Sequence, residues 1–592
     1  MTADDPFAHL HDEDYASPFD QLRVGHAQLV QTGGRLTEPV NGPWRLTLDL
    51  FDEGLRQRWY ADDDTPPSQW ALPRDYDVEA GEPVPVPSCW NLLKPHWYQF
   101  EGAGWYTTML PWTPGPPGER VVLQFGGAAS HALVFLNGQC VGGHAGASTP
   151  FSIEITQAIQ AGPNRLQVMV ENRRRADRVP MHHIDWFNYG GLYRSVELLR
   201  LPQVFLRRVA VGLVPGSNGG RVFVEVVASD PIDAEAEVIW PTVQEEPCRV
   251  QIRAGRGRIE IAAQPRLWSP ASPTLHDVLV TSGQDRWQER IGFREIITRG
   301  HDILLNGEPL FLQGVCVHED DEAVGKVSTL DDVERRLTHA RELGANFLRL
   351  AHYPHHEHVA RLADAVGVLL WAEVPVYWAI DFADPATYCD AENQLLELVT
   401  RDVNRASVIL WGVGNENADT DARYRFMRDL AAAARAADPT RLITAACLID
   451  RERFAIADRL AEHLDVIGLN EYFGWYEPDV SGLQRLIANS APDRPVVISE
   501  TGADAKAGHR GTGRQLFTED WQAEFFRQQW HVVRGTPWIR GFAAWLLYDF
   551  RSERRQTRFQ RGYNRKGLIA EDKVTKKLAF EVLSALFREE TR

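Results

Sequence analysis

The pattern of apolar and polar positions changes its period near the middle of the chain. Before residue 202, short alternating runs are separated by Gly, Pro and Asn, and Asn137 and Gly138 stand between two such runs in HALVFLNGQCVGG. An Asn-Gly pair between alternating runs predicts a two-residue hairpin turn. The succession of short strands and turns predicts a β-sandwich over residues 1–201.

Strand signals continue from residue 202 to residue 298. The runs RRVAVGLVP, RVFVEVVAS, AEAEVIWPTV and HDVLVTS are rich in β-branched residues and are bounded by turn residues. A segment of about a hundred residues with turn signals roughly every 8 to 12 residues is typical of an immunoglobulin-like sandwich. We therefore expect a second β-sandwich over residues 202–298.

From residue 299 onward, apolar runs alternate with stretches of helical period. The eight apolar runs are LFLQGVCV, NFLRLA, GVLLWAEV, VILWGVG, RLITAACL, DVIGLN, PVVISE and GFAAWLLY. Segments such as TLDDVERRLTHARELG and TEDWQAEFFRQQWHVVR carry apolar residues at helical spacing between these runs. Buried strands that alternate with helices in this way predict a (β/α)8 barrel over residues 299–592.

Polar residues follow the predicted strands, at the ends that form the active site in such barrels. In chain order they are His318, Glu319, Asp320, Arg349, His352, Glu373, Asn415, Glu416, Asn470, Glu471, Tyr472, Glu500, Trp545 and Asp549. Two carboxyl groups that face one pocket favour glycoside hydrolysis, in which one protonates the leaving oxygen and the other attacks the anomeric carbon. The pattern itself does not select Glu416 and Glu500 over Glu373 or Glu471.

Composition narrows the range of partners. The net charge of −18 argues against nucleic acid or an anionic membrane surface as a partner. The sequence contains no apolar run of membrane-spanning length, and its acidic start, MTADDPFAHLHDED, lacks the apolar core of a signal peptide. We therefore expect a cytoplasmic protein that acts on a small substrate.

Motifs for metals and cofactors are sparse in the sequence. The six cysteines are scattered without a CxxC pair, which favours buried thiols over disulfides or zinc ligands. His182 and His183 are adjacent but have no third ligand nearby in the sequence, so they give little support for a metal site. We expect neither a metal nor a cofactor.

Two strand-end segments resemble motifs of glycoside hydrolase family 2, the family of β-glucuronidases, β-galactosidases and β-mannosidases. WGVGNEN resembles the acid/base motif, which implies that Glu416 is the proton donor and that Asn415 contacts the sugar 2-hydroxyl. VVISETGAD resembles the nucleophile motif and implies that role for Glu500. Segments similar to other family motifs, such as VPSCWN and LNGEPLFLQGV, extend the resemblance over nearly the whole chain. The resemblance implies a jelly-roll-like sugar-binding domain and a retaining exo-mechanism, with the carboxyl groups roughly 5 to 5.5 Å apart.

Within this family, the β-glucuronidase branch is the most similar. DWFNYGGLYRS resembles the segment whose aspartate reaches the sugar pocket, which is Asp185 in this sequence. YNRKG resembles the Asn-x-Lys motif for the glucuronate carboxylate, which implies that role for Asn564 and Lys566. A buried uronate needs a cation and a fixed donor because an unpaired charge is costly to bury. The further expected site residues are His352, Asn470, Tyr472, Tyr476 and Trp545 around the sugar, with Arg349 and Tyr472 supporting the nucleophile.

Three positions depart from the β-glucuronidase pattern. Glu471 replaces a cation of the bacterial enzymes, and Thr501 follows the nucleophile where Tyr is common. Gln560 replaces an Arg, with Arg561 one place later. These departures concern uronate selectivity and not the hydrolytic machinery, so a β-galactosidase and a β-galacturonidase are alternatives within the family. A non-catalytic carbohydrate-binding protein is a separate alternative outside it. Relatives in the family are often oligomeric, so we expect a homodimer or homotetramer that acts on a small glycoside or oligosaccharide.

Overall fold

The computed structural model of the chain describes residues 20–61 and 76–589. Its first ten strands are β1 (Thr37–Pro39), β2 (Gly42–Asp49), β3 (Glu82–Val86), β4 (Ala103–Trp112), β5 (Arg120–Phe125), β6 (His131–Leu136), β7 (Gln139–Ala145), β8 (Phe151–Glu154), β9 (Gly162–Glu171) and β10 (Val196–Leu201). They form two antiparallel sheets, in the orders β3-β2-β4-β9-β6-β7 and β1-β10-β5-β8. The acidic N-terminal segment, on which the expectation of no signal peptide rests, lies outside the described residues.

These two sheets enclose one apolar core, as the alternation in their strands predicts. Phe125 from the smaller sheet is buried together with Val134 and Leu166 from the larger one. Asn137 and Gly138 join β6 to β7 with φ angles of 50° and 77°. Positive φ at both central residues is typical of a type I′ turn, so the predicted hairpin is confirmed.

The next seven strands form one antiparallel sheet around a second core. They are β11 (Leu206–Leu213), β12 (Arg221–Ala228), β13 (Ala234–Ile239), β14 (Cys248–Arg253), β15 (Arg256–Ala262), β16 (His276–Ser282) and β17 (Asp285–Ile291). Their order is β11-β12-β15-β14-β13-β16-β17. Residues of β14 alternate between buried and exposed, and Val250 from this strand packs with Val224, Val278 and Trp287. Ile252 in β14 pairs with Gly257 in β15, and this pairing links β11, β12 and β15 to β13, β14, β16 and β17 in a single sheet.

A closed ring of parallel strands follows three short strands, β18 (Ile296–Arg299), β19 (Asp302–Leu305) and β20 (Glu308–Leu310). The ring consists of β21 (Leu312–Val317), β22 (Phe347–Leu350), β23 (Leu369–Glu373), β24 (Val408–Asn415), β25 (Leu442–Cys447), β26 (Val466–Asn470), β27 (Val496–Thr501) and β28 (Ile539–Ala544). Each strand overlaps one of the eight predicted apolar runs, because parallel strands covered on both faces read as continuous apolar sequence. The predicted (β/α)8 barrel is confirmed.

Helices connect most of the barrel strands. They are α1 (Leu330–Leu343), α2 (Glu357–Val366), α3 (Pro385–Asp402), α4 (Asp421–Ala437), α5 (Gly482–Ala488), α6 (Glu519–Arg534) and α7 (Leu578–Glu589), and a short 3-10 helix, Arg459–His463, lies between β25 and β26. Local sequence sets the bounds of α1: Thr329 and Asp332 form a capping box at its start, and Gly344, with a φ of 85°, ends it. Among the helices that the structure describes, none has both the length and the apolar character needed to cross a membrane.

Buried polar contacts hold the first sandwich against the barrel. Arg194 Nη2 donates to Glu319 Oε2 at 2.9 Å, and the Tyr189 hydroxyl donates to Asp320 Oδ1 at 2.5 Å. Two short strands after β28, β29 (Phe550–Arg551) and β30 (Tyr563–Asn564), form an antiparallel hairpin. Phe187 N donates to the carbonyl of Arg551 at 3.1 Å, which ties this hairpin to the sandwich. The sandwich and the hairpin therefore meet above the carboxyl ends of the barrel strands.

Candidate active site

A cavity of about 430 Å³ lies at the carboxyl ends of the barrel strands. His352 follows β22, Glu416 follows β24, Asn470 ends β26, Glu500 lies in β27 and Trp545 follows β28. Parallel strands bring these ends to one side of the barrel, although the residues are far apart in the chain. The lining also includes Asp185 from the first sandwich and Tyr377, Trp378, Tyr472, Tyr476 and Asn564 from segments beyond the strands. Of the residues predicted for the site, Arg349, Asn415 and Lys566 lie behind this lining.

Glu500 is buried and accepts two short hydrogen bonds. Arg349 Nη1 donates to its Oε1 at 2.7 Å, and the Tyr472 hydroxyl donates to its Oε2 at 2.6 Å. Burial raises the pKa of Glu500 to about 8, whereas Arg349 and Tyr472 favour the charged carboxylate. These two donors set the orientation of the carboxyl group before any ligand binds.

Arg349 is fully buried and joins two carboxyl groups. Besides Glu500, it binds Glu373 through Nε at 3.1 Å and through Nη2 at 3.0 Å. Burial alone would lower the pKa of the guanidinium, but Glu373 and Glu500 raise it above its ordinary value. One guanidinium thus serves two carboxyl groups, of which Glu500 lines the cavity together with Glu416.

His352 lies between the same two carboxyl groups. Its Nδ1 is 2.8 Å from Glu373 Oε1, and its Nε2 is 3.5 Å from Glu500 Oε1. Burial, with the nearby Arg349, lowers the pKa of His352 well below its ordinary value, so the ring is neutral. A neutral ring with its proton on Nδ1 donates to Glu373. The ring also stacks on Trp545 at a centroid distance of 5.1 Å.

Glu416 is half-buried and has different neighbours from Glu500. Trp378 Nε1 donates to Glu416 Oε2 at 2.8 Å. Both residues have positive φ, 52° for Glu416 and 55° for Trp378. A non-glycine residue in this region costs about 1 kcal/mol or more, and such strain is typical of functional sites. Because the indole N–H occupies Oε2, Oε1 is the oxygen available to carry a proton towards a ligand.

Two hydrogen-bond donors, from Arg349 and Asn470, orient the side-chain amide of Asn415. Its Oδ1 accepts from Arg349 Nη2 at 2.8 Å and from Asn470 Nδ2 at 3.1 Å. A guanidinium only donates, so the oxygen must face Arg349 and the NH2 group must face away. The Asn415 Nδ2 is buried without a hydrogen-bond partner within residues 20–61 and 76–589. A buried, fixed and unused donor of this kind can bind a substrate hydroxyl.

Two family descriptions match the chain. "Glycosyl hydrolases family 2, TIM barrel domain" matches residues 296–587, and "Glycosyl hydrolases family 2, sugar binding domain" matches residues 37–202. The chain belongs to glycoside hydrolase family 2. It is a glycoside hydrolase, and the alternative of a carbohydrate-binding protein without activity is set aside.

Named relatives align with this family 2 enzyme over nearly its full length. The β-glucuronidase of Paenibacillus borealis is 28% identical, over 92% of this chain and 96% of its own. The human β-glucuronidase is 26% identical, over 94% of this chain and 92% of its own. Among solved structures, the β-glucuronidase of Ruminococcus gnavus has a TM-score of 0.82 at 24% identity, covering 95% of this chain and 99% of its own. The β-galacturonidase of Eisenbergiella tayi, bound to galacturonate, has a TM-score of 0.81 at 24% identity with the same coverage. The two structures share the fold of the enzyme.

The part of the cavity lining that comes from outside the barrel strands, which we call the far end, is built around Asp185. Its Oδ1 accepts from the Ser552 hydroxyl at 2.7 Å and from Arg555 Nε at 3.1 Å. Its Oδ2 accepts from Arg555 Nη2 and, at 3.4 Å, from Asn564 Nδ2. The aspartate of the first sandwich is thus held by the segment between β29 and β30.

Lys566 lies behind this end of the cavity. Its Nζ donates to Asp504 Oδ2 at 2.6 Å and to the Tyr476 hydroxyl at 3.0 Å. Burial would raise the pKa of Asp504, but Lys566 and other donors lower it below its ordinary value. One of these donors is Gln560 Nε2, at 3.0 Å from Asp504 Oδ1, so the departure at Gln560 supports the partner of Lys566.

The other two departures lie beside Glu500. Glu471 and Thr501 are both buried, at the ends of neighbouring strands β26 and β27. Glu471 Oε2 accepts from Phe473 N at 3.1 Å, and burial raises the pKa of Glu471 to about 7. Glu471 therefore lines the cavity as a buried carboxyl group whose pKa is raised.

Sequence reasoning missed several residues of the lining. Trp378, which binds Glu416, lies in the loop after β23, and its aromatic neighbour Tyr377 stacks on it at 4.5 Å. The adjacent aromatic pair in VPVYWAI, just beyond a predicted strand end, was the available signal. Arg555 stands among four other arginines between residues 551 and 561, so the sequence offers no basis for choosing it.

Proposed function

We propose that this enzyme is a retaining exo-β-glycosidase that hydrolyses terminal β-D-glucuronides. The observation that supports the mechanism is that Glu416 and Glu500 line one cavity but have different hydrogen-bond partners. Glu500 has two fixed donors that suit a charged nucleophile, whereas Glu416 has one oxygen available to hold a proton. The sugar is proposed from the relatives, because proteins named β-glucuronidase match this chain over 92% and 94% of its length.

In the first step, Glu416 donates its Oε1 proton to the glycosidic oxygen while Glu500 attacks the anomeric carbon. The bond from that carbon to the glycosidic oxygen breaks, the aglycone leaves as an alcohol, and an ester forms between the sugar and Glu500. Formation of the ester removes the negative charge of Glu500. Burial disfavours that charge, as the raised pKa of Glu500 indicates, so the same burial favours the attack.

In the second step, the Glu416 carboxylate takes a proton from a water molecule, and the oxygen of that water attacks the anomeric carbon. The ester breaks, Glu500 regains its charge, and the sugar leaves with its original configuration after two inversions. Arg349 and Tyr472 stabilise the returning carboxylate at 2.7 and 2.6 Å. The unused Asn415 amide donor is suited to the sugar 2-hydroxyl, a contact that strengthens in such transition states.

The test is a panel of aryl β-glycosides with one leaving group and different sugars: glucuronide, galacturonide, galactoside, glucoside and mannoside. We expect the highest kcat/KM for the glucuronide, and NMR of the fresh product should show the β-anomer before mutarotation. A preference for the galacturonide would move the proposal to the C4 epimer. A preference for a neutral sugar would reject a uronidase, and α-anomer as the first product would reject the retaining mechanism.

A further inference from the structure

A second cavity, of about 40 Å³, lies between the first sandwich and the barrel and shares no lining residue with the first cavity. Its basic lining residues are His131, Arg173, Arg174, Arg178 and Lys326. Among the described residues, no Asp or Glu lines it. This lining is the opposite of what the net charge of −18 predicts for an average surface of the chain. Space of this size holds about three water molecules or one small anion.

The three arginines of this lining are balanced by carboxylates that lie outside it. The pairs are Arg173 with Asp52, Arg174 with Glu101 and Arg178 with Glu171. The arginine side chains are between 17% and 42% exposed, so solvent reaches this side of the cavity. Burial and the nearby Arg178 lower the pKa of His131 well below its ordinary value, so its ring is neutral. The charge that remains to be balanced in the lining is therefore that of Lys326.

Lys326 is buried, with 6% of its surface exposed, and it makes few polar contacts. Its Nζ donates to the Ser148 hydroxyl at 3.0 Å and lies over the Tyr353 ring, 3.6 Å from the ring centroid. An ammonium group has three N–H donors. One N–H therefore remains open after the hydrogen bond to Ser148 and the contact with the Tyr353 ring.

No carboxylate within residues 20–61 and 76–589 forms an ion pair with Lys326. Glu319 favours the charged form of the amine, but its own oxygens accept from Arg194 Nη2 at 2.9 Å and from His356 N at 2.6 Å. An unpaired ammonium is costly to bury. Burial accordingly lowers the pKa of Lys326 to about 7. A bound anion supplies the missing partner and favours the charged amine.

We propose that this cavity binds a small inorganic anion, a halide or an oxyanion of phosphate size, with Lys326 as its main partner. Lys326 comes from the segment between β21 and α1, Ser148 from the loop between β7 and β8, and Tyr353 from the loop after β22. The anion therefore joins the first sandwich to the barrel. Because the cavity forms only when these two domains are docked, the anion stabilises the folded chain. This inference does not depend on which sugar the enzyme accepts.

The experiment measures the thermal unfolding temperature of the whole chain in increasing sodium chloride, sodium bromide or sodium phosphate. Sodium MES keeps the ionic strength constant, because its bulky anion does not fit a cavity of this size. The wild type should gain roughly 2 to 6 °C at saturation with at least one of the three anions. Lys326→Met keeps the apolar stem and removes the ammonium, so this gain should disappear. Lys94→Met is the control and should keep the gain, because Lys94 also lies over a ring, that of Trp97 at 4.8 Å, but pairs with Glu82 and does not line the cavity.

Two further measurements decide the matter if Lys326→Met does not fold. Arg178→Gln retains the ammonium and removes another charge from the lining, so half of the gain should require roughly 10-fold more anion, the scale for a lost charged donor. Crystals of the wild-type chain soaked in bromide or in phosphate should show the ion within hydrogen-bond distance of Lys326 Nζ. The crystals need no variant and locate the ion directly.

The inference is overturned if the wild type unfolds at the same temperature in all three anions as in MES alone. It is also overturned if Lys326→Met keeps the full gain, because the anion then binds elsewhere. Soaked crystals in which both bromide and phosphate are absent from the cavity would reject it as well. A gain with phosphate alone supports the site and assigns it to an oxyanion, whereas a gain with chloride and bromide alone assigns it to a halide.

Discussion

Two parts of the cavity lining are built in different ways. At the part proposed for catalysis, which we call the catalytic end, Glu416 and Glu500 lie at the ends of β24 and β27, and Arg349 in β22 binds Glu500 directly. At the far end, Asp185 comes from the first sandwich and Arg555 from the segment between β29 and β30. The first arrangement depends on closure of the barrel, whereas the second depends on how a domain and a loop meet.

From this difference we expect the barrel strands to control the reaction itself and the far end to control which sugar is bound. Strands of a closed barrel hold the carboxyl groups in fixed relative positions, as a two-step displacement requires. Loops and a docked domain can change in sequence without moving those strands. Gln560, one of the departures from the β-glucuronidase pattern, lies in the β29–β30 segment, next to the buried partner of Lys566. Changes at the far end should therefore alter which sugar is accepted, and changes at the catalytic end should stop the reaction for every sugar.

The largest expected effect comes from Glu500→Ala at the catalytic end. Loss of the attacking group should lower kcat by more than about 10⁴-fold on all substrates, the scale seen when a nucleophile is removed. Added azide should restore turnover of an activated aryl glycoside and give the α-glycosyl azide, identified by NMR. Retained activity without azide would remove Glu500 from the mechanism.

Glu416→Gln should have the next largest effect, and its size should depend on the leaving group. General acid catalysis contributes about 10² to 10⁴-fold, so glycosides of poor leaving groups should lose that much. An activated nitrophenyl glycoside needs little protonation, and its first step should slow much less. The measurement is a plot of log(kcat/KM) against leaving-group pKa, which should be steeper in the variant. Parallel lines for the two enzymes would contradict Glu416 as the acid.

Tyr472→Phe should have a smaller effect that appears mainly in the pH profile. Glu500 must be charged to attack, and burial raises its pKa to about 8 in the free enzyme. Activity should therefore fall as pH falls. The apparent pKa of the acid limb of the kcat/KM profile should lie well above the usual pKa of a carboxyl group. The Tyr472 hydroxyl binds Glu500 at 2.6 Å and favours its charged form, so its removal should move the limb higher. A limb near 4.5, unchanged by the substitution, would contradict this reasoning.

Ser552→Ala should give the smallest effect and tests the far end. The Ser552 hydroxyl donates to Asp185 Oδ1 at 2.7 Å, and Arg555 still holds that carboxylate when the hydroxyl is absent. Loss of one neutral donor costs about 1 kcal/mol, so kcat/KM should fall about fivefold, mostly through KM. The fall should be similar for all sugars that contact Asp185. A loss in kcat as large as that of Glu416→Gln would show that the two ends are not separable.

Much of the fold was predictable because its signals are local. A (β/α)8 barrel needs strands covered on both faces, and the eight apolar runs reveal them without any knowledge of contacts. Glu416 and Glu500 stand at the ends of two such runs, so their common side follows from parallel order. Choosing them over Glu373, which is also at a strand end, required the resemblance to a family. The structure gives a physical difference: Glu373 is buried against Arg349 and His352 behind the lining.

What the sequence determined by itself is therefore the order of elements and the residues at their ends, because periodicity and turn chemistry act between near neighbours. Only the tertiary structure decided which basic side chain faces the cavity. Arg555 meets Asp185 across 370 positions of the chain, and Lys566 meets Asp504 across 62. Both cations pair with an aspartate, yet the Lys566 side chain is 1% exposed and the Arg555 side chain is 22% exposed. That distinction depends on how the first sandwich docks on the barrel and on how the hairpin folds back, which no local pattern records.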